Sequence, residues 1–350
     1  MNWKNINRSF RLNNSIFSSE NELINYLENQ NTDICDFLKI WFNNQSYLEV
    51  KTSGSTGLPK PITIQKEHVI QSALATGNYF DLPEETTALL CLPIHYIAGK
   101  LMLVRALVLG WHLDIVKVNS NPLSDITKQY DFSAMTPMQV ENSIDKLNII
   151  KKLIVGGGVV SNSLQTKLKY CKTKVYATYG MTETITHIAV KKLNYINTLP
   201  NFFEVLPNIE IYKDNKDCLV IKAPKISNNI IFTNDVVQLI SNTQFEWLGR
   251  FDNIINSGGI KLNPEAIEQK LSKIITTRFF ITGIYDEYLG EKLVLLIEGE
   301  EKIIALENTN LSKYEMPKAI YFLPKFIETT SGKIQRKETL KLLETSSNSF

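Results

Sequence analysis

The sequence predicts an α/β protein: a large N-terminal domain of mixed sheets and helices over residues 1–250, then a small α+β C-terminal domain over residues 251–350. Three observations lead there. Short apolar runs alternate with amphipathic segments, the signature of strands and helices laid against one sheet. The pattern changes near Gly249, where a hairpin signal begins. The chain has 350 residues, against about 150 residues for an ordinary domain. In order, Tyr47–Lys51 and Pro61–Ile64 read as strands around a Gly/Ser/Thr run. Val69, Ile70, Ala73, Leu74, Gly77 and Phe80 recur at helical spacing. Ala88–Cys91, Leu113–Val118 and Leu153–Val155 read as buried strands, and a helix over Ser163–Leu168 follows Gly156–Gly158. Beyond Arg250, NIINSGGIKLN reads as a hairpin turning at Ser257-Gly258-Gly259. Asn263 then suits an N-cap and Pro264 the first helical position. Ile267, Leu271, Ile274 and Ile275 give that helix an apolar face. Strands Phe279–Ile284, Leu293–Ile297 and Ala319–Leu323 follow. A polar loop, Glu328–Lys333, leads to a last helix carrying Leu340, Leu342 and Leu343.

Composition narrows the function. Lys and Arg number 38 and Asp and Glu 36, a net charge of +2 that gives no footprint for nucleic acid. Cys35, Cys91, Cys171 and Cys218 form no C-x-x-C pair, which argues against a zinc site or a disulfide framework. His68, His95, His112 and His187 show no H-E-x-x-H spacing. The polar start has no apolar core like that of a signal peptide. The apolar stretch Leu101–Trp111 is broken by Arg105 and too short to span a bilayer. The expectation is a cytoplasmic protein with no integral membrane association. A homodimer stays open.

The strongest motif is Thr52-Ser53-Gly54-Ser55-Thr56-Gly57-Leu58-Pro59-Lys60. Its glycines let backbone N–H groups turn toward an anion, its hydroxyls can donate to phosphate oxygens, and Lys60 adds a full charge. It is no Walker A loop, because Gly-Lys-Ser/Thr is missing and a strand follows. A solvated Ser/Gly linker is the plain alternative. Gly156-Gly157-Gly158 after a strand lacks the third glycine of a dinucleotide fingerprint.

TSGSTGLPK resembles the phosphate loop of the adenylate-forming superfamily of acyl-CoA synthetases, peptide-synthetase adenylation domains and luciferases. Four further segments agree in order. Tyr179-Gly180-Met181-Thr182-Glu183 is similar to the family's Tyr-Gly-x-Thr-Glu, and Thr233-Asn234-Asp235 to its Thr-Gly-Asp. Gly249-Arg250-Phe251-Asp252, running to Ser257-Gly258-Gly259 and Pro264-x-x-Ile267-Glu268, resembles its hinge and hairpin. Ser331-Gly332-Lys333-Ile334-x-Arg336 resembles its C-terminal lysine loop. The resemblance implies an AMP-binding N-terminal domain, a mobile C-terminal lid, and three small molecules: ATP with Mg²⁺, a carboxylic acid and CoA. It implies that Lys60, Thr182 and Lys333 serve catalysis and that Glu183 holds Mg²⁺. Residues 52–57, Gly156, Gly157, Tyr179, Gly180, Asp235 and Arg250 join them around ATP. Asp252 is the implied hinge, and Ser257, Gly258 and Gly259 the hairpin that approaches CoA. The residues alone leave other readings open: a core aromatic for Tyr179, an exposed carboxylate for Glu183, a surface ion pair for Asp235 and Arg250, and a solvated lysine for Lys333.

Leu92-Pro93-Ile94-His95-Tyr96-Ile97-Ala98-Gly99-Lys100, then Arg105, occupies the family's Leu-Pro-x-x-His-x-x-Gly segment, with Tyr96 in the slot of the usual histidine. His95, Tyr96, Lys100 and Arg105 are therefore candidates for the acid's pocket. A guanidinium on an apolar helix should meet an anion, either a structural carboxylate or a second carboxylate of the substrate. The wording and the compact chain resemble the o-succinylbenzoate–CoA ligases of menaquinone synthesis, where an arginine at this offset serves the aromatic carboxylate. Family members are longer, and the length this chain lacks lies before Thr52. An enzyme that loads a carrier protein, and a nucleotide-binding regulator without turnover, are the alternatives.

Overall fold

The structure, a computed structural model, describes residues 3–28, 30–51, 61–196, 202–306, 309–329 and 334–347, the side chains of 344–347 excepted. Among these, thirteen strands form the largest sheet. Its middle is parallel: Arg11–Leu12, His112–Ile115, Thr87–Leu90, Tyr130–Met135, Ile150–Val155 and Lys174–Gly180 lie side by side. Strand His187–Lys192 then pairs antiparallel with Lys174–Gly180, and the sheet continues antiparallel through Phe203–Val205, Gln244–Arg250, Ile231–Ser241, Cys218–Lys222 and Glu210–Lys213. The parallel strands are short, and most of their residues are buried and apolar, as in strands covered on both faces. Helix Ile97–Leu109 is one cover. It is buried nearly all round, with Leu101 through Val108 in the core, and packs on helix Lys66–Tyr79.

A separate hairpin, Tyr47–Lys51 with Pro61–Gln65, flanks residues 52–60 as the alternation of apolar residues anticipates. Strand His112–Ile115 is shorter than the Leu113–Val118 read from the sequence. The pairing of Arg11–Leu12 with it joins segments about a hundred residues apart, which no local pattern announces.

The second sheet lies within residues 255–323. Ile255–Ser257 and Ile260–Leu262 form the expected hairpin, closed by Gly258 at φ 58 and Gly259 at φ 81. Two successive positive φ values are the two-residue turn that suits paired strands, and glycine adopts them without strain. Phe279–Asp286, Gly290–Glu298 and Ala319–Leu323 complete the sheet. Alternate residues separate its faces. Ile281, Leu293, Leu295 and Ile297 pack on Ile267 and Leu271 of helix Pro264–Leu271. Phe280, Val294 and Leu296 pack on Leu323 and Phe326, with Leu340, Leu342 and Leu343 alongside. Pro264 opens its helix as expected, although Asn263 makes no capping hydrogen bond with its side chain. No helix among the described residues is long and apolar enough to cross a membrane.

Candidate active site

A cleft of about 2490 Å³ opens where the parallel strands end, between the large sheet and helix Pro264–Leu271. Open α/β sheets gather ligands at the carboxyl ends of their strands, where loops are free to vary. Leu92, Thr136, Gly156 and Thr182, each just past such an end, line it. Thr52 through Gly57, Lys60 and Lys333 lie outside the described residues. Their described neighbours Lys51 and Pro61, and Thr329 and Ile334, all line this one cleft.

Strand Lys174–Gly180 runs into the turn that carries Thr182 and Glu183 on the cleft wall. A side chain at Gly180 would place its Cβ 2.3 Å from the Thr186 carbonyl oxygen, so only glycine lets the turn fold back this closely. The turn tightens further at Ile185, which has φ 65 and ψ −53. Thr186 N–H donates to the Thr184 carbonyl at 2.6 Å, closing a three-residue γ-turn. A buried β-branched residue there stores about 1–3 kcal/mol of strain.

The turn delivers Thr186 and His187 to Arg105. Arg105 is 3% exposed, and its Nη2 donates to Thr186 Oγ1 at 2.7 Å. Its Nε has no partner, and no carboxylate among the described residues pairs with it. Burial pushes its pKa down to about 10. The Nδ1 of His187 is 3.2 Å from the same hydroxyl, and its Nε2 has no partner. Burial, with the Arg105 charge behind it, pushes the imidazole down to about 3. A hydroxyl that accepts from Arg105 has its own proton free for Nδ1, so the network assigns the ring proton to Nε2. The floor of the cleft thus holds one buried cation and one neutral donor with hydrogen-bonding capacity to spare. An unpaired buried donor loses about 1–3 kcal/mol of hydration, which an anionic ligand would restore.

A second cluster lines the same cleft, built around Tyr179 on the strand that pairs with His187–Lys192. Tyr179 Oη donates to Asp235 Oδ2 at 2.6 Å and Trp247 Nε1 donates to Oδ1 at 3.1 Å. The Tyr179 ring meets Phe245 edge-on at 5.0 Å and lies against Phe203. Burial and the Asp235 charge hold the Tyr179 phenol well above its usual pKa, so it stays a donor. Arg250 reaches from 3.7 Å toward Asp235 and donates to Asp252 Oδ2 at 2.9 Å, which also accepts from Asn234. Gly156 and Gly157 line the same cleft.

The four residues assigned to the acid's pocket divide. Tyr96 and Arg105 line the cleft. His95 turns outward to Asp33 at 3.1 Å, and the Lys100 ammonium donates to the His95 carbonyl and lies 5.7 Å over the Phe37 ring. Both therefore face helix Thr32–Phe42. Asp252, Ser257, Gly258 and Gly259 also lie outside the cleft lining, the hairpin being held by a bond from Gly258 N–H to the Leu289 carbonyl. Thr186, His187, Glu265 and Glu268, none of them a candidate from the sequence, also line the cleft. A lone histidine in an apolar strand carries no spacing signal. Glu268 had one, as part of Pro264-x-x-Ile267-Glu268.

Residues 50–218 match the family model described as AMP-binding enzyme. The 2-succinylbenzoate–CoA ligase of Bacillus cytotoxicus is 25% identical over 338 residues, covering 84% of this chain and 70% of that protein. The o-succinylbenzoate coenzyme A synthetase of Bacillus subtilis, solved with ATP and magnesium ion, shares the fold at TM-score 0.74 and 18% identity, over 92% of this chain and 82% of that one. The crystal structure of an acyl-CoA synthetase (AMP-forming)/AMP-acid ligase II-like protein from Dyadobacter fermentans aligns at TM-score 0.59 and 36% identity, over 89% of this chain and 93% of that one. At that identity, across nearly the whole of both chains, this chain belongs to the AMP-binding enzyme family of adenylate-forming ligases.

Proposed function

We propose that the chain joins 2-succinylbenzoate to CoA in the cytoplasm through an acyl-adenylate. The carboxylate oxygen of the succinyl arm attacks the α-phosphorus of ATP, the bond to the β-phosphate breaks, and pyrophosphate leaves. The CoA sulfur then attacks the acyl carbonyl and AMP departs. The observation that carries the choice of acid is Arg105: a buried guanidinium at the cleft floor that no described carboxylate neutralises. A substrate with a second, aromatic carboxylate supplies the missing anion, with His187 Nε2–H beside it. Relatives named 2-succinylbenzoate–CoA ligase support the same acid.

The cluster around Tyr179 and Asp235 supports a place for the nucleotide. Tyr179 offers an aromatic face to adenine beside Gly156 and Gly157, while Asp235 and Arg250 reach the ribose. Lys60 and residues 52–57 receive the phosphates, with Thr182 at the α-phosphate. One carboxylate, Glu183, suits magnesium, which takes most of its ligands from water and phosphate oxygens. The attack brings two anions together, and at about 4 Å each unit pair repels by roughly 4 kcal/mol at an effective dielectric near 20. Lys60, Lys333 and the metal that arrives with the nucleotide offset this, most strongly as charge builds on the phosphorus.

Residues 251–350 act as a lid that turns about Asp252. In the present arrangement Thr329 and Ile334, the described neighbours of the lysine loop, line the cleft and the Ser257–Gly259 hairpin does not. That supports an adenylation arrangement, with thioester formation requiring the hairpin to replace the loop. The turn must break the bond from Arg250 to Asp252, whose side chain is 42% exposed, so the barrier is modest. The test is a pair of half-reactions on Lys333→Ala. Loss of acid-dependent ATP–pyrophosphate exchange with retained thioester formation from supplied acyl-adenylate supports this reading. Equal loss in both contradicts it.

A further inference from the structure

One guanidinium ties the described stem of the lysine loop to helix Pro264–Leu271. Arg336 follows Lys333 by three positions. Its Nη2 donates to Glu268 Oε2 at 2.8 Å, and its Nη1 lies 2.8 Å from Glu268 Oε1, a bidentate pair. Nη1 also donates to the Ile281 carbonyl at 3.1 Å, while Ile281 N–H donates to Glu268 Oε1 at 2.8 Å. Ile281 sits on strand Phe279–Asp286, whose only strand neighbour among the described residues is Gly290–Glu298. The Glu268–Arg336 pair therefore closes a free sheet edge, satisfying both backbone groups of one residue. The Phe280 ring lies beneath the guanidinium at 5.6 Å.

Two further ties run outward. On the loop side, Gln335 N–H donates to the Ile327 carbonyl and its Nε2 to the Glu328 carbonyl, and Glu328 bridges Ile334. On the other side, Glu265 Oε1 lies 3.7 Å from Arg336 Nη2 and accepts from Asn253 Nδ2 at 2.5 Å, next to Asp252. The Glu265 carboxylate also fills the space at Gly249, where a Cβ would stand 2.4 Å from Oε2. A continuous polar chain thus joins Asn253, Glu265, Arg336 and the stem of the lysine loop.

We infer that Arg336 and Glu268 are positioning residues for the proposed catalytic role of Lys333: they lock the described loop stem, residues 334–336, to helix Pro264–Leu271 and, through Glu265, to the segment beside Asp252. The inference rests on the proposed role of Lys333. Without the guanidinium the stem keeps only Gln335 and the Glu328–Ile334 bridge and loses its tie to helix Pro264–Leu271, and misplacing a reacting charge by about 1 Å costs on the order of a hundredfold in rate.

The test uses the full chain with Glu268→Gln and Arg336→Lys. Glu268→Gln keeps an acceptor for Ile281 N–H and removes only the charge. Arg336→Lys keeps the charge and loses the fork. Each is expected to lower kcat for acid-dependent ATP–pyrophosphate exchange by about 10- to 100-fold, with KM for ATP and thioester formation from supplied acyl-adenylate within about threefold. No loss of exchange, or equal loss in both half-reactions with a lower melting temperature, overturns the inference. If Arg336→Lys does not fold, Glu268→Gln, the closer isostere, decides by the same criteria. Lys333→Ala measured alongside separates the two levels. If it leaves exchange intact, the role of Lys333 fails and the positioning role with it. If it abolishes exchange while Glu268→Gln does not lower it, only the positioning role fails.

Discussion

Replacing Arg105 with methionine should leave the protein as stable or more stable and make it a poorer enzyme, and the magnitudes follow from its surroundings. The folded pKa of about 10 lies below the ordinary 12.5, so the fold disfavours the charged form at every pH below 10. At 1.36 kcal/mol per unit, holding that charge costs about 3 kcal/mol. Its hydrogen bond to Thr186 Oγ1 returns roughly 1.5–3 kcal/mol. Methionine fills the space without the charge, so Arg105→Met is expected to leave stability unchanged or raise it by up to about 2 kcal/mol. At about 2–4 °C per kcal/mol, that is several degrees in melting temperature. The catalytic effect has the opposite sign. A buried charge pair lost on one side costs about 2–5 kcal/mol. KM for 2-succinylbenzoate should rise on the order of a hundredfold, while KM for a monocarboxylic analogue moves by less than about threefold. Urea unfolding and steady-state exchange with both acids measure the two effects. A variant destabilised by more than about 1 kcal/mol, with both acids impaired equally, would refute the reasoning and make Arg105 a structural residue.

Three more expectations follow from the same site. The folded pKa of His187, about 3, lies below the ordinary 6.5, so the neutral ring contributes stability above pH 6.5 that is lost as pH falls toward 3. His187→Gln should abolish about 1.4 kcal/mol of that loss per pH unit below 6.5 in urea titrations; an unchanged acid limb contradicts a buried neutral ring. Burial raises Glu268 to about 7 in spite of Arg336, with the Glu265 charge adding to the rise. The pair with Arg336 is then fully formed only above pH 7, so exchange in the wild type should climb between pH 6 and 8, and Glu268→Gln should flatten that climb. Gly180→Ala must push its Cβ against the Thr186 carbonyl, and should cost about 2 kcal/mol or more in stability together with most of the exchange activity; a variant with wild-type kinetics would show that the turn gives way freely.

Much of the small sheet was legible because its signals are local. Two glycines need positive φ at one turn, proline opens one helix, and a short unbroken apolar run marks Ala319–Leu323 to the residue. The order of strands in the large sheet was not, since pairings such as Arg11 with His112 depend on contacts far apart in sequence. The cleft wall divides the same way. Arg105 stood out as a charge inside an apolar run, and it is buried on the cleft floor. His95 and Lys100 had the same local credentials, yet face Asp33 and Phe37 on a helix about sixty residues earlier. His187 had no credentials at all. Only the γ-turn at Ile185, set by the close approach at Gly180, brings it beside Thr186 and Arg105.

The central claim is that this cleft adenylates a dicarboxylic acid. Its most direct measurement is rapid-quench detection of the acyl-adenylate with ATP, Mg²⁺ and 2-succinylbenzoate, CoA being left out. Close to one equivalent of adenylate per enzyme is expected, with pyrophosphate released in step and almost none in Lys333→Ala. ATP bound without adenylate from this acid or from any of a panel of aromatic and aliphatic acids would contradict it.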